Sequence, residues 1–125
     1  MVILVAEPGD ILLEPGTYPA TIVDIAVRDR DHRRFLVWTF AIEHGGNRAT
    51  VRRPSGMSLA PGSMARAIVE AALGRKLRPN ERIDTADLVG QRVLLTVVRA
   101  TRADGTPFNR VEGVRPAQPD DDYPF

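Results

Sequence analysis

Hydrophobic and polar residues alternate with a period of two along much of this sequence, and such alternation predicts β-strands with one buried face. The clearest example is residues 35–43. One face of this stretch carries only large apolar side chains: Leu36, Trp38, Phe40 and Ile42. The opposite face is smaller and more mixed: Phe35, Val37, Thr39 and Ala41. Because large apolar side chains prefer burial, we expect the first face to point into a core.

Four further stretches have the composition of strands. They lie at about 17–28, 48–53, 92–101 and 108–114, and the first is rich in β-branched residues. Gly45-Gly46-Asn47 and Asp104-Gly105 predict hairpin turns between neighbouring strands. We expect a charged loop at 29–34, and we expect Pro54-Ser55-Gly56 to end the third strand.

One helix is marked at both ends. Ser63 is a suitable N-cap, and Gly74 is placed to end the helix in the left-handed conformation. One face of the intervening segment is apolar: Met64, Ala65, Ile68, Val69, Ala72 and Leu73. The predicted order is therefore three strands, a helix and two strands.

That order is the order of the OB-fold, a five-stranded and partly open Greek-key barrel. Other small α+β folds share it. We predict a mainly β protein, in which residues 1–116 form an OB-fold barrel with one helix between strands three and four. Residues 117–125 are rich in proline and aspartate, and we expect them to form a disordered acidic tail.

The composition argues against catalysis and metal binding. The 125 residues include no cysteine and only two histidines, His32 and His44, both among turn-like residues. We find no phosphate-binding loop and no Ser-His-Asp set, so we expect no enzyme activity, metal or cofactor. No signal segment is convincing and no apolar run approaches the roughly 20 residues that cross a bilayer, so we expect a cytoplasmic protein without membrane contact.

The charge is distributed unevenly. The formal net charge is +1, with 17 basic and 16 acidic residues, but three of the acids are Asp120, Asp121 and Asp122. Without them the body has 17 basic against 13 acidic residues, a net charge of +4. All basic residues except Lys76 are arginines, which suit planar contacts to phosphates and bases. A genome of high GC content would also enrich arginine.

An OB-fold would bring three arginine clusters onto one groove, because its ligands lie across the middle strands and between two loops. These are Arg28, Arg30, Arg33 and Arg34; Arg48, Arg52 and Arg53; and Arg99, Arg102 and Arg110. Single-stranded nucleic acid needs such cations together with stacking rings, for which Phe35, Trp38 and Phe108 are candidates. Phe35 is the better candidate, since the alternation assigns Trp38 to the core. Each arginine could instead be a solvated surface residue paired with an aspartate.

The C-terminus carries a compact recognition peptide: Asp120, Asp121, Asp122, Tyr123, Pro124 and Phe125. A terminal ring and carboxylate can enter an apolar pocket with an arginine, while the aspartates approach a basic rim. This ending resembles the tip of bacterial single-stranded DNA-binding proteins, which finish Asp-Asp-Asp-hydrophobic-Pro-Phe. Tyr123 departs from the Ile or Leu usual in that family. In the family the tip docks on replication, recombination and repair enzymes.

The body loosely resembles the small OB-fold single-stranded DNA-binding proteins of phages and mobile elements. The matching pieces are Gly16-Thr17-Tyr18, Trp38-Thr39-Phe40-Ala41-Ile42, Leu88-Val89-Gly90 and Asp104-Gly105-Thr106-Pro107-Phe108-Asn109-Arg110-Val111. The predicted helix and the short link to the tip depart from the housekeeping members, which have long Gly- and Gln-rich linkers. The family's tetramer therefore does not carry over, and the sequence leaves a homo-oligomer open.

The resemblance implies a non-catalytic protein that binds single-stranded DNA largely without regard to sequence and recruits DNA-metabolism proteins through its tip. Two alternatives remain. One is an RNA-binding OB-fold, since basic grooves and rings do not separate RNA from DNA. The other is an adaptor whose barrel binds protein. The short link also suggests that Asp120–Asp122 could fold back onto the basic groove, in which case deleting 118–125 would tighten DNA binding.

Overall fold

A computed structural model describes residues 12–117 and gives a mainly β protein with one helix. The strands are β1 (Gly16–Arg30), β2 (Arg33–His44), β3 (Asn47–Ser55), β4 (Arg92–Thr101) and β5 (Pro107–Pro116), and the helix α1 (Met64–Leu73) lies between β3 and β4. The predicted strand and helix order is confirmed. A short 3-10 helix at Thr85–Asp87, which the sequence did not predict, precedes β4.

All strand pairs are antiparallel, and the order across the sheet is β3-β2-β1-β4-β5. Within residues 12–117 no ladder joins β3 to β5, so the sheet is not closed and the predicted barrel is not confirmed. The two end strands nevertheless approach each other, because one cavity is lined by residues from both.

The core lies on one face of the sheet, as the alternation in β2 predicted. Leu36, Trp38, Phe40 and Ile42 are all buried there. From the neighbouring strands they meet a further set of buried apolar side chains: Ile22, Val51, Val93, Leu95, Val97 and Val111. Burial of this face supplies the main hydrophobic stabilisation of the fold.

The helix is capped as the sequence predicted. The Ser63 hydroxyl accepts a hydrogen bond from the Arg66 N–H, and Gly74 ends the helix with a φ of 71°. Its apolar face covers the core with Ala65, Ile68, Val69 and Ala72. None of the helices among residues 12–117 is long and apolar enough to span a membrane.

Three predicted boundaries were wrong. The charged segment 29–34 is a tight hairpin instead of a loop, since β1 runs to Arg30, β2 begins at Arg33, and only Asp31 and His32 form the turn. Both turn residues have positive φ values, 52° and 63°, which Asp and His tolerate better than most side chains. The fifth strand reaches Pro116, past the expected end at 114. Residues 118–125, including the tip, lie outside the described residues, as does the apolar segment 2–6.

Pro54 does not end β3, which continues to Ser55. Gly45 and Gly46 form a two-residue turn with positive φ. The residues that flank it, His44 and Asn47, therefore exchange backbone hydrogen bonds, and so does every second pair after them along β2 and β3. Pro54 lies opposite Val37, in one of the pairs between these. Its missing N–H therefore costs the β2–β3 ladder nothing.

Candidate nucleic-acid interface

The predicted site residues on β1, β2 and β3 divide between the two faces of the sheet. We call the face opposite Trp38 and Phe40 the outer face. Arg28 pairs with Phe35, and Arg52 pairs with Thr39. Phe35 and Thr39 are four residues apart on β2, so their side chains share the outer face at a separation of about 13 Å. Phe35 is half-buried there, while Arg28 and Arg52 are exposed.

The β1–β2 hairpin places two guanidinium groups on the same face of the sheet. Arg30 lies directly opposite Arg33. Like charges directly opposed across a strand pair are destabilising. The carboxylate of Asp31 compensates only weakly, because it is 3.9 Å from Arg30 Nε and both side chains are more than four-fifths exposed. The same hairpin borders an open groove with Phe35. The two arginines therefore form a local positive charge, which a bound anion would stabilise.

A second part of the site lies between the ends of the sheet. Arg52 of β3, Arg102 after β4 and Phe108 of β5 line one cavity of about 440 Å³. The Arg102 guanidinium carbon lies 4.5 Å from the centroid of the Phe108 ring. The cavity therefore combines two cations with a ring, which are the groups that bind phosphates and stack bases.

The β4–β5 turn is held by its own hydrogen bonds. The Arg102 N–H donates to the Thr106 carbonyl at 2.9 Å, and the Thr106 N–H donates to Asp104 Oδ1 at 2.9 Å. That backbone hydrogen bond lowers the pKa of Asp104. Gly105 supplies the positive φ, 89°, that the turn needs. The turn thus fixes the backbone from which Arg102 reaches the ring.

Three predicted site residues are not on this surface. Trp38 is only 1% exposed, and its indole N–H donates to Ser55 Oγ at 2.8 Å, so its role as a DNA contact is corrected to a core role. Arg53 pairs with Trp38 on the core face and not beside Arg52. Its Nε atom is buried and, within the described part of the chain, has no hydrogen-bond partner.

Arg99 also has a structural role. Its Nε donates to the Leu13 carbonyl at 3.1 Å, and its terminal nitrogen is 3.3 Å from Glu14 Oε1. The Leu13 N–H in turn donates to Asn109 Oδ1. These contacts attach the segment before β1 to β4 and β5. Arg99 was predicted to bind DNA, but in the structure its guanidinium is engaged by Leu13 and Glu14.

The remaining predicted arginines are exposed and differ in their surroundings. Arg34 is paired with Asp29 at 3.2 Å on the other face of the hairpin from Arg33. Arg48 is on the outer face of β3, four residues from Arg52. Arg110 is two residues from Phe108 and shares its face. Arg48 therefore adds a cation on the strand face of Arg52, and Arg110 adds one on the strand face of Phe108.

Sequence reasoning missed part of the cavity wall: Leu12, Thr50, Pro54, Thr106, Pro107 and Asn109. No local signal marks these residues, because the wall forms only when strands some fifty residues apart meet. Within residues 12–117, no three His, Cys, Asp or Glu side chains are grouped to hold a metal ion.

Comparison with models of known protein families and with curated proteins gave no match to this chain.

Proposed function

We propose that this protein binds single-stranded DNA without catalysis and largely without regard to sequence. In this proposal the five β-strands form an OB-type barrel, and the single-stranded DNA binds to its outer face. The observation that carries it is the cavity shared by Arg52, Arg102 and Phe108. Two cations and a ring within one cavity suit a phosphate backbone with a stacked base.

The hairpin supports the same proposal. Arg30 and Arg33 are directly opposed, and a stability cost of this kind is expected where a bound anion offsets it. Phe35 lies beside them on the outer face and offers a second stacking position. A DNA strand that ran from the hairpin across the outer face of β2 would reach the cavity at Arg52, which is paired with Thr39.

The second element of the proposal is recruitment of proteins that act on DNA, in the cytoplasm, through Asp120–Phe125. Its support is the chemistry of the sequence: three carboxylates followed by an aromatic residue, proline and a terminal phenylalanine. Such a peptide fits an apolar pocket with a basic rim.

The test is fluorescence anisotropy of labelled oligo-dT at two salt concentrations, with duplex DNA and single-stranded RNA as competitors. We expect tight binding that weakens with salt, because neutralised phosphates release counterions. The double variant Arg52→Ala/Arg102→Ala should bind more weakly. Arg82→Ala is the matched control, since Arg82 is exposed in the connection after α1 and does not line the cavity.

The competitors decide between the candidate functions. Poor competition by duplex and RNA supports the proposal, whereas strong competition by RNA favours an RNA-binding protein. If oligo-dT does not bind even at low salt, the proposal fails and the adaptor alternative takes its place.

A further inference from the structure

A second groove is lined by none of the predicted DNA-binding residues. It has a volume of about 430 Å³ and runs between the C-terminal half of α1 and the end of β5. Its apolar wall consists of small side chains: Ala67, Ala71 and Val114. Small side chains leave room for a large ring from another segment.

The rim of this groove is cationic. Arg75 and Lys76 border it, and the Lys76 side chain is 91% exposed. Residues 64–82 contain five cations against two carboxylates, a net charge of +3. Glu70, which also lines the groove, accepts from the Leu77 N–H at 2.7 Å and lies 3.8 Å from Lys76 Nζ. Glu81 forms two hydrogen bonds with Arg75, so Lys76 is the more open cation of the rim.

The chain leaves the described structure at this groove. Pro116 is one of its lining residues, and Phe125 follows nine residues later. Nine residues span at most about 30 Å, enough to turn and bring the terminal ring back to the apolar wall. A segment tethered this closely has an effective concentration in the millimolar range, so even a weak contact would be populated.

We propose that the groove between α1 and β5 receives the C-terminal tip of the same chain, with Phe125 on the apolar wall and the tip carboxylates at the exposed ammonium group of Lys76. The docked tip is withheld from partner proteins until a partner competes for it. This proposal places the tip away from the candidate DNA surface and does not depend on DNA binding.

The test compares amide NMR spectra of the full chain and full-length Phe125→Ala. We expect shift differences within residues 12–117 to be confined to the groove, at Ala67, Ala71, Gly74 and Val114. Identical spectra at these residues would overturn the proposal, and so would differences centred on Arg52 and Phe108, which would place the tip on the DNA surface instead.

A second variant keeps the test independent of the tip's own chemistry. Ala67→Glu adds a negative charge at an exposed helix position, where Glu is well tolerated, and should release the tip. Ala67→Gln is the matched uncharged control. The amide NMR signals of Asp120–Phe125 should shift from their wild-type positions in Ala67→Glu, to the positions that the wild type shows at high salt. In Ala67→Gln the same signals should shift much less. Equal effects of Glu and Gln would contradict the charge argument.

Dilution separates the own-chain contact from one between molecules. The shifts should not change with protein concentration, and shifts that grow with concentration would assign the groove to the tip of a second copy. Adding oligo-dT should leave the groove shifts in place. If oligo-dT does not bind at all, only the proposed function fails, because the groove shifts are measured without DNA.

Discussion

Arg102 covers one face of the Phe108 ring, with its guanidinium carbon 4.5 Å from the ring centroid. The pair lies in a cavity that Arg52 also lines, and the short β4–β5 turn holds its backbone. A base entering the cavity would meet either the ring or the guanidinium plane, and both are stacking surfaces.

Phe108→Ala should weaken oligo-dT binding by about 5- to 150-fold, which corresponds to the roughly 1–3 kcal/mol of one stacked base. Phe108→Tyr keeps a ring at the same position and should bind nearly as well as the wild type. The measurement is anisotropy at fixed salt. Equal affinity of the Ala variant and the wild type would remove Phe108 from the site.

Arg33→Thr should separate stability from binding. Removing one of two directly opposed arginines is expected to stabilise the fold by about 0.2–1 kcal/mol, since like charges across a strand pair repel. The same change should weaken DNA binding and make the salt dependence shallower by about one phosphate contact. Urea unfolding and salt-dependent anisotropy measure the two effects. A variant that is less stable and binds as before would contradict the assignment.

Trp38→Ala should unfold the protein more easily without a specific loss of DNA contacts. Trp38 is buried and hydrogen-bonded to Ser55, so truncation leaves a cavity and removes that hydrogen bond, at a cost of about 3–5 kcal/mol. Trp38→Phe is a milder variant whose oligo-dT affinity should match the wild type once folded. A large affinity loss in a stably folded Trp38→Phe chain would return Trp38 to the binding surface.

Gly74→Ala should destabilise the fold by about 1–2 kcal/mol, because an L-residue is disfavoured in the left-handed region. Gly74 has a φ of 71°, and no atom lies within 4 Å of an added Cβ, so backbone strain is the only cost. Gly56→Ala is the control, since that site is equally open but lacks the positive φ. Thermal unfolding of both variants tests this, and equal melting temperatures would contradict it.

Acid should weaken the connection that follows α1. Hydrogen bonding to Arg75 lowers the pKa of Glu81 from 4.5 to about 2. Between these values the unfolded chain takes up a proton that the folded chain does not, so this contribution is full above about pH 5 and is lost as pH falls toward 2. Urea midpoints at pH 7 and pH 3 should differ less in Glu81→Gln than in the wild type. An unchanged difference would mean that the Arg75–Glu81 pair is not linked to folding.

The local elements were predictable because each has a local cause. Period-two alternation identified the core face of β2, and Ser63 and Gly74 identified both ends of α1. The alternation Ala49, Val51, Arg53 also contained the signal that Arg53 faces the core, and sequence reasoning missed it. The hairpin at Asp31-His32 was predicted as a loop, and residues 29–34 contain none of the Gly or Asn residues that mark a two-residue hairpin turn.

The cavity and the helix groove were beyond local reasoning. The cavity depends on Arg52 meeting Arg102 and Phe108 across the two ends of the sheet, a relation set by the strand order. Whether an arginine is free or occupied is likewise a tertiary property, as Arg99 shows through its contacts to Leu13 and Glu14.

Pro54 affects whether two copies of this protein can pair through the edges of their sheets. It stands in β3, the last strand at one end of the sheet, in a pair whose backbone groups point outward. A strand from a neighbouring molecule that aligned along this edge would find no N–H there, and its hydrogen-bond ladder would be interrupted. Crowded copies of the protein are thereby discouraged from aggregating edge to edge.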